Sequence, residues 1–187
     1  YEIMPSLVGS EMCIRDSPDG AGPTATTDRL VMGPALTVPY RCNFATDDQF
    51  ALWNVIDANN DEYTWKRETT LAAAYYYYNE DGETGGDDWL VSSPIHLEKN
   101  KIYRLKFKLQ SYDVGYPEKV AVHLGTGASV AEQTTLLGDY EVESNTFVEY
   151  KVILPERLES GNYHISFHCH SEPYMFILYV TDVLLEE

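Results

Sequence analysis

Residues 103–109 read YRLKFKL, and this stretch decides the fold class. Every second side chain is apolar, and the side chains between them are basic: Arg104, Lys106 and Lys108. The apolar set is Tyr103, Leu105, Phe107 and Leu109. Because successive side chains of a β-strand point to opposite faces of the sheet, this period of two predicts a strand with one face in a core and the other in water.

The same alternation recurs along the rest of the chain. It is found in three further segments separated by turn residues: 120–124, 148–154 and 163–169. Residues 175–185 are apolar at both odd and even positions, as in a central strand covered on both faces or in one paired deep in the sheet. Helix is predicted only as short turns at 47–52 and 129–133. Strands at this spacing predict an all-β sandwich of two antiparallel sheets.

The composition limits the number of domains and the classes of partner. With 187 residues of which 44% are apolar, the chain can form one core. Its 30 acidic and 13 basic side chains give a net charge of −17, which argues against nucleic acid because phosphate binding requires a basic surface. No apolar run approaches the roughly 18 residues of a membrane span, so we expect no membrane insertion. The many carboxylates are available to a hard cation such as Ca²⁺.

The first 35 residues differ in character from the rest. Residues 11–17 read EMCIRDS, which resembles the translation of a transposon end used to prepare sequencing libraries. We therefore expect residues 1–17 to be a non-native, adapter-derived tail. Residues 18–35 are rich in Gly, Pro and Thr and are interpreted as a linker. The globular domain is predicted over residues 36–187.

Two cysteines remain once Cys13 is assigned to the foreign tail. Cys42 and Cys169 are too few for a disulfide scaffold. A single bridge would form if the first and the penultimate strands met. Two separately buried thiols are the favoured alternative.

Six segments, in order, carry a resemblance to a known family: VPYRCNF (38–44), LWNVIDANNDEYTW (52–65), DDWLVSSPIHLEKNKIYRLKF (87–107), YPEKVAVHLGT (116–126), GNYHISFHCHS (161–171) and LYVTDV (178–183). They resemble the cleaved-adhesin or choice-of-anchor J domains of Bacteroidota surface proteins and proteases. The resemblance implies a MAM-like jelly-roll β-sandwich, export to the cell surface or the extracellular space, neighbouring domains in a larger parent chain, and adhesion. Ala45 and Thr181 stand where the family often has acidic residues, which weakens a metal site shared between the first and last strands.

One candidate metal site lies in a run of short, oxygen-bearing side chains. Asp57, Asn59 and Asp61 occupy alternate positions, so a tight loop could wrap one Ca²⁺ ion. Glu62 stands where an EF-hand loop needs Gly, which excludes that motif. The alternative is an Asx-rich turn that satisfies its own backbone.

Three other carboxylates complete the predicted metal ligands. Asp87 and Asp88 either join a Ca²⁺ site or cap the turn into a strand that buries Trp89. Asp182, near the end of the last strand, is the remaining candidate. A structural Ca²⁺ ion is the one cofactor that the sequence predicts, and we expect it to tune stability rather than create the fold.

Candidate ligand-binding aromatics occur in two places. Tyr112 and Tyr116 lie in a loop that ends at Pro117, and Tyr76 and Tyr78 share one face of a tyrosine run. Rings presented from a rigid sandwich can stack on the apolar faces of sugars, although large aromatic side chains more often pack within a core. The loop over 112–117 is the preferred site, ahead of the tyrosine run.

The remaining motifs favour binding over catalysis. His164, His168 and His170 share one face of a predicted strand, but no carboxylate or thiol is aligned with them, so we interpret an outward polar face rather than a zinc site. The sequence has no nucleophile elbow, zinc-protease motif or phosphate loop. It therefore predicts a non-catalytic extracellular module that binds glycans or host surface or matrix proteins. The alternatives are a spacer without a ligand and an accessory module of a protease or glycosidase.

Overall fold

The computed structural model describes residues 34–78 and 84–187, which are almost entirely β-structure. The strands in these ranges are β1 (Leu36–Thr37), β2 (Tyr40–Cys42), β3 (Trp53–Asp57), β4 (Lys66–Glu68), β5 (Ala73–Tyr77), β6 (Asp88–Ser92), β7 (Ile95–Leu97), β8 (Arg104–Ser111), β9 (Glu118–Gly125), β10 (Thr135–Val142), β11 (Val148–Ile153), β12 (Gly161–Cys169) and β13 (Ile177–Glu186). The expected adapter-derived tail and all but the last two residues of the linker lie outside the described residues.

The strands form two sheets that face each other. In the seven-stranded sheet, β12 pairs with β9 on one side and with β6 and β7 on the other, and β3, β1 and β10 extend it. In the six-stranded sheet, β13 pairs with β8 on one side and with β5 and β2 on the other, and β11 and β4 are the outer strands. All pairs are antiparallel except β1 with β7. The predicted jelly-roll β-sandwich is confirmed.

The core lies between the sheets and is centred on aromatic rings. Phe107 of β8 meets Phe167 of β12 edge to face, with ring centroids 5.3 Å apart. Trp53 of β3 packs on Phe167 at 5.9 Å, and Phe44 packs on Trp53 at 5.4 Å. These rings come from both sheets, so their burial fixes how one sheet sits on the other.

The inward faces of the central strands follow the predicted alternation. In β8 the apolar set at 103–109 is buried, whereas Arg104 is exposed and Lys106 and Lys108 are half-buried. In β13 both faces are largely buried, most completely over residues 178–181. The edge strand β11 departs from the prediction: Val148 is 40% exposed, because β11 pairs only with β8.

Short helical turns occur where they were predicted. The helix α1 (Asp47–Phe50) begins after Thr46, whose side chain accepts a hydrogen bond from the Gln49 amide. A 3₁₀ turn covers Val130–Glu132 and starts with a capping box. No helix in the described part of the chain is long and apolar enough to cross a bilayer.

The two cysteines of the domain are separate thiols. Cys42 lies on β2 in one sheet and Cys169 on β12 in the other; both are buried and unbridged. Burial raises the pKa of each thiol. The favoured alternative of two buried thiols is therefore the one observed.

Candidate functional site

Five aromatic rings gather at one end of the sandwich, where β5 and β8 end and β13 begins: Tyr77, Tyr78, Tyr112, Tyr116 and Phe176. We refer to them as the aromatic end cluster. Phe176 is its centre, with ring centroids 4.7 Å from Tyr112 and 5.7 Å from Tyr116. On the other side, Phe176 packs on Tyr77 at 5.8 Å and on Tyr78 at 5.5 Å. The rings therefore support one another.

The outer part of the aromatic end cluster faces water. Tyr112 is 54% exposed and Tyr116 is 46% exposed. Val114, between them in the same loop, is 62% exposed, and Tyr174 in the adjoining loop is 54% exposed. Exposed aromatic rings that pack on one another in this way favour a binding site over inert surface.

The structure separates the four predicted ligand-binding tyrosines. Tyr112, Tyr116 and Tyr78 belong to the aromatic end cluster, with Tyr78 half-buried at its base. Tyr76 does not, because it is 1% exposed and packs inside the sandwich against Trp65. We correct that assignment: Tyr76 is a core residue. The sequence also gave no reason to single out Phe176, which lies in a segment apolar on both parities.

A buried carboxylate fixes the loop that carries Phe176. Glu118, the first residue of β9, is 0% exposed. One of its oxygens accepts a hydrogen bond from the Ser171 hydroxyl at 2.5 Å, and the other accepts one from the Phe176 amide at 2.6 Å. Burial raises the pKa of Glu118 to about 7, and these two hydrogen bonds oppose the increase. Glu118 therefore positions the central ring of the cluster.

The predicted metal loop folds as an Asx-rich turn. The Asp57 carboxylate accepts hydrogen bonds from the amides of Asp61 and Glu62, at 3.3 and 2.9 Å. The Asn59 side chain accepts from the Asp61 amide and donates to the Gly85 carbonyl. The turn therefore satisfies much of its own backbone, as the alternative to metal binding requires.

Asp88 lies beside this turn and is fully buried. It is the cross-strand partner of Asp57, and its Oδ1 atom has no hydrogen bond of acceptable geometry to any residue that the structure describes. Burial, helped by the charges of Asp57 and Asp61, raises the pKa of Asp88 to about 8, whereas Thr64 and the Asp87 amide oppose the increase. A buried carboxylate among like charges is a group that a cation would stabilise.

The other two predicted metal ligands lie elsewhere. Asp87 is turned to the outer face of the seven-stranded sheet, where its carboxylate binds His168 Nε2 at 2.7 Å. Asp182 pairs with Lys108 on the six-stranded sheet, at 2.7 Å. The six predicted ligands are therefore not one group, and only Asp57, Asn59, Asp61 and Asp88 come together.

The donor chemistry of these four residues fits Ca²⁺, which prefers carboxylate and amide oxygens. The orphaned, buried Oδ1 atom of Asp88 favours an ion there. Against it, no group of three or more His, Cys, Asp or Glu side chains among the described residues has an arrangement that could hold a metal ion. An ion would need the Asn59 amide and main-chain carbonyls in addition. Calcium binding stays a prediction.

The histidine face differs from its sequence interpretation. Two carboxylates do align with it, since His170 Nε2 binds Asp139 at 2.8 Å in the same way as His168 binds Asp87. His168 also stacks on Trp89, with centroids 4.0 Å apart. His164 is buried and bonds to the Ser92 carbonyl. These contacts hold the three rings in place on the sheet.

Fold and site together define a jelly-roll β-sandwich with an aromatic end. No family model matches the chain, and no curated protein matches it in sequence. The fold is similar to that of the K1 cleaved adhesin domain of Lys-gingipain from Porphyromonas gingivalis W83, with a TM-score of 0.63 and 19% identity over 79% of this chain and 96% of that one. It is also similar to the apo form of BiXyn10A CBM1, with a TM-score of 0.56 and 14% identity over 81% and 99% of the two chains.

A CBM4 structure gives a TM-score of 0.51 and 17% identity over 72% of this chain and 85% of that one. The fold that the cleaved-adhesin resemblance implies is therefore the fold observed. At these identities the likeness establishes the fold and leaves the activity to the residues of this chain.

Proposed function

We propose that this chain is a non-catalytic glycan-binding module whose ligand lies against the aromatic end cluster. The observation that carries the proposal is the exposure of Tyr112 and Tyr116, 54% and 46%, on a base formed by Phe176. Aromatic rings offer flat apolar faces with low conformational freedom. The C–H faces of sugar rings stack on such surfaces, and the tyrosine hydroxyls are available to bond sugar hydroxyls.

The loops that hold these rings are braced, so little ordering is needed when a ligand binds. The Tyr112 amide donates to the Ile177 carbonyl at 2.9 Å, and the Tyr116 amide donates to the Asp113 carbonyl at 3.1 Å. The Asp113 side chain in turn accepts from the Gly115 amide at 2.8 Å. A site that is formed before binding loses less entropy on association.

The likeness to cleaved adhesin and carbohydrate-binding modules supports a binding role through the shared fold. The absence of catalytic motifs from the sequence supports the assignment as non-enzymatic. We further propose that the module works outside the cell or at its surface, within a larger parent chain of the choice-of-anchor J type. A Ca²⁺ ion at Asp57, Asn59, Asp61 and Asp88 would be a structural cofactor of the module.

The test is a glycan array probed with the full chain, together with a panel of mucins and matrix proteins. Tyr112→Ala/Tyr116→Ala is the site variant. Ile153→Ala is the matched control, because Ile153 is 54% exposed and pairs with Arg104 at the far end of β8, roughly 26 Å along the strand from Tyr112.

We expect saturable binding of particular glycans that the tyrosine variant loses and the control keeps. Binding to matrix proteins but to no glycan would mean that the ligand is a protein. No detectable binding to any glycan of the array or any protein of the panel would overturn the proposal and leave the spacer alternative.

A further inference from the structure

A polar groove of about 430 Å³ opens on the outer face of the six-stranded sheet, beside β2, β8, β11 and β13. Its charged and amide side chains include Arg41, Asn43, Lys106, Lys108, Glu149 and Asp182. The volume is within the range of small-ligand sites, about 300–1,000 Å³. None of these residues belongs to the aromatic end cluster.

The lining of the groove is less acidic than the protein as a whole. Three basic and two acidic side chains line it, whereas the whole chain carries a net charge of −17. A basic side chain left unpaired in such a groove attracts anions.

Among the described residues, no carboxylate neutralises the third cation of the groove, Arg41. Lys106 pairs with Glu186 at 2.6 Å and Lys108 pairs with Asp182 at 2.7 Å. The exposed Arg41 guanidinium makes no hydrogen bond or ion pair with any residue in the described ranges. Its planar fork of donors matches a carboxylate or a sulfate.

The backbone of the groove wall is locally irregular. Asp182 has a φ of 49°, which is unusual for a residue other than Gly, and it lies at the register shift of β13 between Thr181 and Leu184. Such bulges re-aim side chains and are frequent next to functional sites. Here the irregularity accompanies an Asp182 carboxylate that lines the groove beside Lys108.

We propose that this groove binds the acidic unit of a polysaccharide, a sugar ring that bears a carboxylate or a sulfate. Arg41 receives the anionic group, with the free N–H donors of Lys106 and Lys108 beside it. The Asn43 amide and the Asp182 carboxylate bond the ring hydroxyls. This mixture of one unpaired cation with amides and carboxylates suits a polyhydroxylated anion better than an acidic peptide, whose apolar side chains would find few partners among this lining.

The groove is a second site, independent of the proposed function. Lys108 is four residues from Tyr112 along the chain, so groove and aromatic end cluster are roughly 13 Å apart on one sheet. One glycan chain could span both, but each has its own residues. Their failures are therefore distinguishable.

The test is calorimetric titration of the full chain with three probes: an oligogalacturonate, its methyl ester, and a heparin-derived sulfated oligosaccharide. We expect the ester to bind at least about tenfold more weakly than the acid, because it cannot accept charge-assisted hydrogen bonds. The two acidic probes distinguish carboxylate from sulfate recognition.

Arg41→Gln should lower the affinity for the preferred acidic probe about tenfold, and Arg41→Lys should lower it less. Arg157→Gln is the matched control, since Arg157 is exposed in the turn after β11 and its loss changes net charge equally. It should stay within about twofold of the unmodified chain. Equal binding of acid and ester, no binding of either acidic probe, unchanged affinity in Arg41→Gln, or equally tight binding of polyglutamate would each overturn the proposal.

Discussion

Asp88 makes a prediction that can be worked through in numbers. Its pKa is raised from 3.8 to about 8 in the folded chain. The native state therefore holds a proton that the unfolded chain releases above about pH 4, and stability must fall as pH rises between these two values. Between pH 5 and pH 8 this one group should cost roughly 3–4 kcal/mol.

The perturbation is Asp88→Asn, which keeps the shape and removes the charge. The variant should lose that part of the pH dependence. Between pH 5 and pH 8 its melting temperature should fall by roughly 10 °C less than that of the unmodified chain. The assay is thermal denaturation at both pH values in chelator, so that no cation masks the charge. Other groups, Glu118 among them, titrate in both proteins and cancel in the comparison. An Asn variant with the same pH dependence as the unmodified chain would refute the reasoning.

Three further predictions concern the cation, the loop and the core. At pH 8, millimolar Ca²⁺ should stabilise the chain by about 0.5–1.5 kcal/mol in thermal melts, and the Asp88→Asn variant should not respond to the ion. An unchanged melting temperature of the unmodified chain on chelation would contradict calcium binding. Glu118→Ala should cost about 2–4 kcal/mol in urea unfolding at pH 6, because it orphans the Ser171 hydroxyl and the Phe176 amide; a loss below 0.5 kcal/mol would contradict that role. Phe107→Ala should cost about 3–5 kcal/mol in the same assay, and a smaller loss would mean that the ring is not central to the core.

The fold was predictable from sequence where burial differs between the two faces of a strand. β8 has one buried and one more exposed face, so its apolar positions alternate cleanly. β10 was not predicted, because it pairs only with β9, its burial is shallow, and Gly138 sits at a break in its register. A strand with little burial imposes little pattern on its sequence.

The site was predictable only in part. The loop with Tyr112 and Tyr116 could be singled out because Gly and Pro nearby indicate an exposed turn. The sequence could not show that Phe176 completes the cluster, since its ring contacts Tyr116, 60 positions away, and its amide donates to the buried carboxylate of Glu118. Tyr76 was misplaced for a similar reason. The alternation shows that Tyr76 and Tyr78 lie on the same face of a strand, but it does not show whether that face is buried or exposed.

The most direct test of the central claim follows the tyrosine rings themselves. Chain labelled at tyrosine would be titrated, by NMR, with the best glycan from the array. The account predicts saturable shifts of the Tyr112 and Tyr116 ring resonances with the affinity of the glycan, while the buried ring of Tyr76 barely responds. Glycan binding that leaves Tyr112 and Tyr116 unshifted would contradict it.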